Sequence, residues 1–212
     1  MKHFLRILIV LLGIAIAGVL VYRVSHSQPA APSGPKSDAL PVYSSIPEFK
    51  FTNQASQAFG SAELAGKVWA ANFIFTRCPA TCPVQTLRMG QLQKQLSQDP
   101  RWKDMQLVSF SVEPEHDTPS VLRDFAEQKH AQPGQWHFLT GARSEIWQLS
   151  TNGFKLAVGE AAPNAGSPLF HSPMLVVVDQ QRRIRGSYDG MTEAGINEAA
   201  DAIRRALSEL ED

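Results

Sequence analysis

Two thiols and one imidazole are the side chains here best suited to chemistry. Cys78 and Cys82 are the only cysteines among 212 residues and lie four positions apart in the run FIFTRCPATCPV. A thiolate is both a soft metal ligand and a redox nucleophile. Such a pair can therefore hold a monovalent copper ion or close on itself as a disulfide. His171, in LFHSPMLVVVD, is the third candidate, set just before an apolar run and separated from it by Ser172-Pro173. Two thiolates and an imidazole suit copper, since sulfur favours Cu(I) and nitrogen helps hold Cu(II). Zinc would accept the same set with a fourth ligand. In an exported chain two cysteines can also form a plain structural disulfide, and an isolated histidine before a strand is more often a solvated loop residue. Only its position relative to the cysteines singles His171 out.

The other candidates are weaker. His137, between Trp136 and Phe138, reads as a strand residue with a satisfied hydrogen bond, and His116, in EPEHDTP, as a surface residue near a helix cap. His130 ends a helix, where positive charge suits the dipole. His3 and His26 flank the apolar amino-terminal run. Met174 is kept as an axial donor to the metal, and Glu113 and Asp189, read as exposed loop acids, as groups that orient ligands or recognise a partner.

The elements that must position these residues follow from hydrophobic patterning. Lys67 to Thr76 is a continuous apolar run expected of a strand buried on both faces. Pro83 to Gln98 has Val84, Leu87, Leu92 and Leu96 at helical spacing, with Pro83 suited to the first helical position. Cys82 then lies at the helix entrance and Cys78 in the preceding loop, where the positive end of the helix favours thiolate. Met105 to Val112 is a second strand, and Thr118 caps a helix running to about Lys129. Trp136 to Thr140 is a third strand and Ser144 to Thr151 a short helix. Met174 to Asp179 pairs as a hairpin with Arg183 to Tyr188, and a last helix runs from Thr192 to Leu210 with Ile196, Ala199, Ala200, Ile203 and Leu207 on one face. This order predicts an α/β domain with a mixed sheet and helices on both faces. A strand followed by a cysteine pair at a helix start is the thioredoxin arrangement, although three residues rather than two separate these thiols. In such sheets the loop entering the fourth strand faces the cysteine loop, which would bring His171 to the thiols.

The first quarter of the chain has a different composition. Phe4 to Tyr22 is apolar apart from Arg6, with Lys2, His3 and Arg6 in front and Arg23 behind. A spanning helix needs about 20 such residues. Ala15-Ile16-Ala17 offers a signal-peptide cleavage site, but GVLVY continues the apolar run beyond it, so an uncut anchor over 1–24 is the preferred reading. The positive front end places the amino terminus in the cytoplasm and the domain outside. The expected location is a bacterial-type inner membrane, crossed once, with the domain in the periplasm. Residues 25–45 are rich in Pro, Ala, Ser and Gly and read as a flexible tether, leaving 46–212 as one domain. Lys plus Arg equals Asp plus Glu at 20 each, which excludes a nucleic-acid surface as the main function. There are no internal repeats and no glycine-rich phosphate loop.

Taken together, GKVWAANFIFTRCPATCP, VSFSVEPEHDTPSVLRDF, WHFLTG and His171 before MLVVVD resemble the Sco/SenC family over roughly Pro41 to Leu210. The resemblance implies a thioredoxin-like fold, copper bound by Cys78, Cys82 and His171, and a role in building cytochrome c oxidase. The implied partner is oxidase subunit II, or another copper-site protein, whose dinuclear centre would receive copper or have its cysteines reduced beforehand. Three departures stand out. Family members commonly carry an Asp between the cysteines, where this chain has Ala80 and Thr81; they usually have Asp where it has Glu113; and Pro173 follows the histidine where the family often lacks proline. A cis proline sits at that point in thioredoxins, so Pro173 tilts the reading toward thiol–disulfide chemistry, a tilt that a trans Ser172–Pro173 bond would remove.

Two functions from different classes therefore follow. In one the chain is a membrane-tethered copper metallochaperone. In the other it is a thiol–disulfide oxidoreductase in which Cys78, the more exposed thiol, attacks and Cys82 resolves. A thiol peroxidase is disfavoured, because Pro79 stands three positions before Cys82 and no hydroxyl is correctly spaced before Cys78.

Overall fold

The computed structural model describes residues 39–79 and 81–209. The expected anchor over 1–24 and the tether as far as residue 38 lie outside the described residues. Among the described residues no helix is long and apolar enough to cross a membrane.

Among the described residues ten strands and four α-helices follow one another. The strands are β1 (Ser44–Ser45), β2 (Lys50–Asn53), β3 (Ala58–Gly60), β4 (Val68–Ile74), β5 (Met105–Ser111), β6 (Trp136–Thr140), β7 (Val158–Glu160), β8 (Leu169–His171), β9 (Met174–Val178) and β10 (Arg183–Asp189). The helices are α1 (Cys82–Leu96), α2 (Pro119–Gln128), α3 (Arg143–Gln148) and α4 (Glu193–Ser208). Eight strands form one mixed sheet in the order β1-β10-β9-β4-β5-β6-β2-β3. β4, β5 and β6 run parallel and the remaining pairings are antiparallel. β7 and β8 pair separately as a short ribbon.

β4 and β5 lie at the centre and every one of their residues is buried, as expected of parallel strands covered on both sides. Strand alternation sends successive side chains to opposite faces. On one face α1 buries Met89, Leu92 and Leu96, α4 packs on β4, β9 and β10, and Phe125 of α2 meets Phe138 edge-on. On this face Ser109 accepts from the Trp136 indole and donates to Asn72. The other face carries Trp69, Phe73 and Phe110, covered by Phe49 and by Phe154, which follows α3 and a π-helical turn over Leu149–Gly153.

The expected strand and helix order holds for the central elements, and the helix caps at Thr118 and Thr192 form. Four features differ. Val84 and Leu87, expected on the buried face of α1, are exposed; the residues that turn inward are Cys82, Gln85, Thr86 and Met89. Residues 40–45, assigned to the tether, are tied to the sheet: Leu40 is buried, β1 pairs with β10, and the Arg185 guanidinium donates to the carbonyls of Leu40 and Pro41. β2 and the edge strand β3 were not among the expected elements, because segments of four and three residues are too short to show a period. The β7–β8 ribbon arises in a Gly-, Ala- and Pro-rich segment with little β propensity of its own.

Candidate metal centre

β4 ends at Ile74 in the core and the chain turns outward through Phe75, Thr76 and Arg77 to Cys78. α1 begins at Cys82 with Pro83 behind it, where a missing N–H costs the helix nothing. The imidazole arrives from the other end of the domain. His171 is the last residue of β8, paired with Val158 of β7, and Ser172 donates its N–H to the Ala157 carbonyl at 2.9 Å. The ribbon, not the expected loop, therefore fixes His171.

The three predicted residues meet. One ligand atom from each of Cys78, Cys82 and His171 lies within 4.8 Å of the other two. Cys82 Sγ is 2.9 Å from His171 Nε2. The other ring nitrogen, Nδ1, lies 3.1 Å from the Ser172 carbonyl oxygen. A proton on Nδ1 donated to that carbonyl leaves the Nε2 lone pair facing Cys82, which is the tautomer a metal ligand needs. Phe75 meets the imidazole edge-on at 5.9 Å and walls off one side. Both cysteines are reduced and both are buried, Cys78 at 8 % and Cys82 at 2 % exposure. Cys78 is the more accessible thiol, as expected, but by a narrow margin.

Burial dominates the electrostatics. It pushes the Cys82 thiol well above its ordinary value, a backbone hydrogen bond from Phe75 works the other way, and Cys78 and Asp117 add to the rise. Burial also pushes His171 down, partly offset by its bond to Ser172. The helix amino terminus was expected to favour thiolate at Cys82; burial instead raises this thiol, outweighing the backbone hydrogen bond that opposes it. Both shifts favour a protonated Cys82 thiol beside a neutral imidazole.

The cysteine loop is braced by Asp117, which the sequence did not single out, and by Glu113, which was kept as a group that orients ligands. Asp117 is fully buried and accepts from the Thr76 N–H at 3.0 Å, the Thr76 hydroxyl at 2.6 Å and the Ser111 hydroxyl at 2.5 Å. His116 Nδ1 lies 2.9 Å from the same carboxylate. Glu113, expected as an exposed acid, is 4 % exposed and takes a two-pronged bond from Arg77. Glu113, His116 and Asp117 also bring ligand atoms within 4.8 Å of one another. Their carboxylates are already engaged by Arg77, Thr76 and Ser111, so the group works as a clamp between the end of β5 and the residues just before Cys78. The available signal was the pairing of Thr76-Arg77 with Glu113 and Asp117, complementary hydrogen-bonding types at the ends of neighbouring parallel strands.

The remaining candidates fall elsewhere. His137 is buried in β6, 2.9 Å from Gln106 Oε1 and stacked on Phe59. His130 adopts a left-handed conformation just after α2, at φ 53°. Met174 packs against the core, and Asp189 is exposed and accepts the Met191 N–H. Ser172–Pro173 is trans, as is every peptide bond among the described residues. The trans bond removes the main reason Pro173 gave for preferring thiol–disulfide chemistry. Chemically, the centre offers two sulfurs and one nitrogen to a soft ion, or a dithiol to an exchange partner.

Comparison with known proteins points the same way. A family model described as SCO1/SenC matches residues 38–208. A SCO1 protein homolog of Bacillus subtilis (strain 168) is 31% identical over 167 residues, covering 78% of this chain and 84% of the relative. The solved structure of BsSco, described as a member of the Sco family of cytochrome c oxidase assembly proteins with a disulfide switch, superposes with a TM-score of 0.70 at 29% identity, covering 81% of this chain and 99% of that one. Yeast Sco1 with copper bound superposes at 0.61 with 19% identity, covering 76% and 90%, a likeness of fold.

Proposed function

The chain belongs to the SCO1/SenC family, and from that premise we propose that it is a copper metallochaperone. Copper is its cargo, bound by Cys78, Cys82 and His171 and passed on for assembly of the dinuclear copper centre of cytochrome c oxidase. The observation that carries this reading is the convergence of two thiols and a correctly oriented imidazole, within 4.8 Å, from segments 89 residues apart. Soft sulfur with one nitrogen matches Cu(I) better than any hard cation. Loading displaces the Cys82 proton, so uptake weakens as pH falls. Burial keeps the site dry and its clamp holds the loop in shape, so the ligands need little reorganisation. The apolar segment over 1–24 anchors the chain in a bacterial-type inner membrane and the domain works in the periplasm.

The test is a competition titration of the reduced chain with Cu(I) against a chelator. The expected result is one ion per chain, lost on Cys78→Ser or His171→Ala. A parent chain that takes up no copper sinks the proposal.

A second reading, reduction of a partner's disulfide by the Cys78–Cys82 dithiol, is supported by the approach of the two sulfurs to within 4.8 Å of one another. In it both cysteines end as one disulfide, and their two electrons and two protons pass to the partner's sulfurs. His171→Ala separates the two, abolishing copper uptake while leaving reductase turnover largely intact.

A further inference from the structure

Gln85 lies one helical turn beyond Cys82 and is 1 % exposed, yet neither its amide oxygen nor its amide nitrogen has a hydrogen-bond partner. A buried amide left in this way carries its full desolvation penalty, and such groups are rare in folded proteins. Its position is informative. Residues three apart on a helix share a face, and helical side chains lean toward the amino terminus, so Gln85 is directed over the turn that begins with Cys82. Its far side is closed by Gly190. A Cβ there would lie 2.4 Å from the Pro173 carbonyl oxygen and 3.5 Å from Gln85 Nε2, so only glycine lets the strands approach this closely. Gly190 also donates its N–H to Pro173 at 3.2 Å. Gln85 is thus wedged between the helix that carries Cys82 and the segment that leaves His171.

A metal ion held by two deprotonated sulfurs leaves negative charge in this buried space, and the Asp117 carboxylate adds to the negative charge acting on Cys82. A further donor to the sulfur, beside the backbone hydrogen bond from Phe75, would offset this charge. We infer that Gln85 is a positioning residue of the metal centre, its amide N–H turning to donate to the Cys82 sulfur when the ion is bound. The inference deepens the copper reading and rests on it. Groups of this kind around ligands typically change metal affinity 10–100-fold.

The experiment compares the full reduced chain with Gln85→Leu and the smaller Gln85→Ala. The measurements are Cu(I) competition, the sulfur-to-copper absorption of the Cu(II) form, and melting without metal. Gln85→Leu should melt at or above the parent temperature, since it removes an unpartnered buried amide. Both variants should bind Cu(I) about 10–100-fold more weakly and show a shifted sulfur-to-copper band. Parent-like affinity and absorption in both variants overturn the inference while the copper reading stands. Weaker binding in step with a lower metal-free melting temperature in both marks Gln85 as a packing residue and overturns it too. A parent that binds no copper removes both readings.

Discussion

Asp117→Asn isolates the clamp beneath the cysteine loop. The carboxylate accepts four contacts, from the Thr76 N–H and hydroxyl, the Ser111 hydroxyl and His116, at full burial. The amide keeps the shape but loses the charge and replaces one acceptor with a donor. A hydrogen bond to a charged group contributes roughly 1 kcal/mol more than one between neutral groups, and losses within one network are not additive. The set therefore predicts a destabilisation of about 3 kcal/mol. For a domain of this size that corresponds to a fall of roughly 6–12 °C in melting temperature. The assay is thermal unfolding of the reduced chain followed by circular dichroism. Asp124→Asn serves as control, because Asp124 is 63% exposed and paired with the similarly exposed Arg123. A second readout is alkylation of the thiols, which should speed up, because the change frees the Thr76 anchor and removes a negative charge that opposes ionisation of Cys82. If Asp117→Asn melts within about 2 °C of the control, the clamp does not hold the loop and the reasoning fails.

Three further outcomes are expected. Burial lowers His137 from 6.5 to about 4, so the unfolded chain takes up the proton first; stability is full above pH 6.5 and falls by on the order of 3 kcal/mol as pH drops through about 4. Urea melts across that range should show a shallower pH dependence in His137→Phe, which keeps the stacking on Phe59. Arg185 is 3% exposed and joins Asp179, Glu209 and the carbonyls of residues 40 and 41, so Arg185→Met should cost about 3 kcal/mol and release residues 40–45 to proteolysis; an unchanged digestion pattern would refute the tie. Cu(I) at a hundredfold excess over its dissociation constant should add about 2.7 kcal/mol of stability, seen as a rise in melting temperature that His171→Ala loses.

The central architecture was legible because its signals are local. β4 and β5 are unbroken apolar runs, and Thr118 and Thr192 cap helices by their own side chains. The edge of the fold was not. Residues 40–45 look like linker by composition, and the pairing of β1 with β10 together with the buried Arg185 makes them part of the sheet. Val84 and Leu87 show why helical spacing alone misleads: the apolar positions of α1 face outward near the cysteines, while the polar Gln85 and Thr86 turn in.

At the site the division follows the same line. The chemical identity of the donors, two sulfurs in one loop and an imidazole before a strand, belongs to the sequence, because residue type and short spacing are local properties. Which way the imidazole faces, whether the thiols are ionised, that Ser172–Pro173 is trans and that Asp117 and Glu113 grip the loop were decided by the folded state alone. Each depends on burial and on partners distant in the chain. Desolvation and long-range hydrogen bonding come into being only when the sheet brings those segments together.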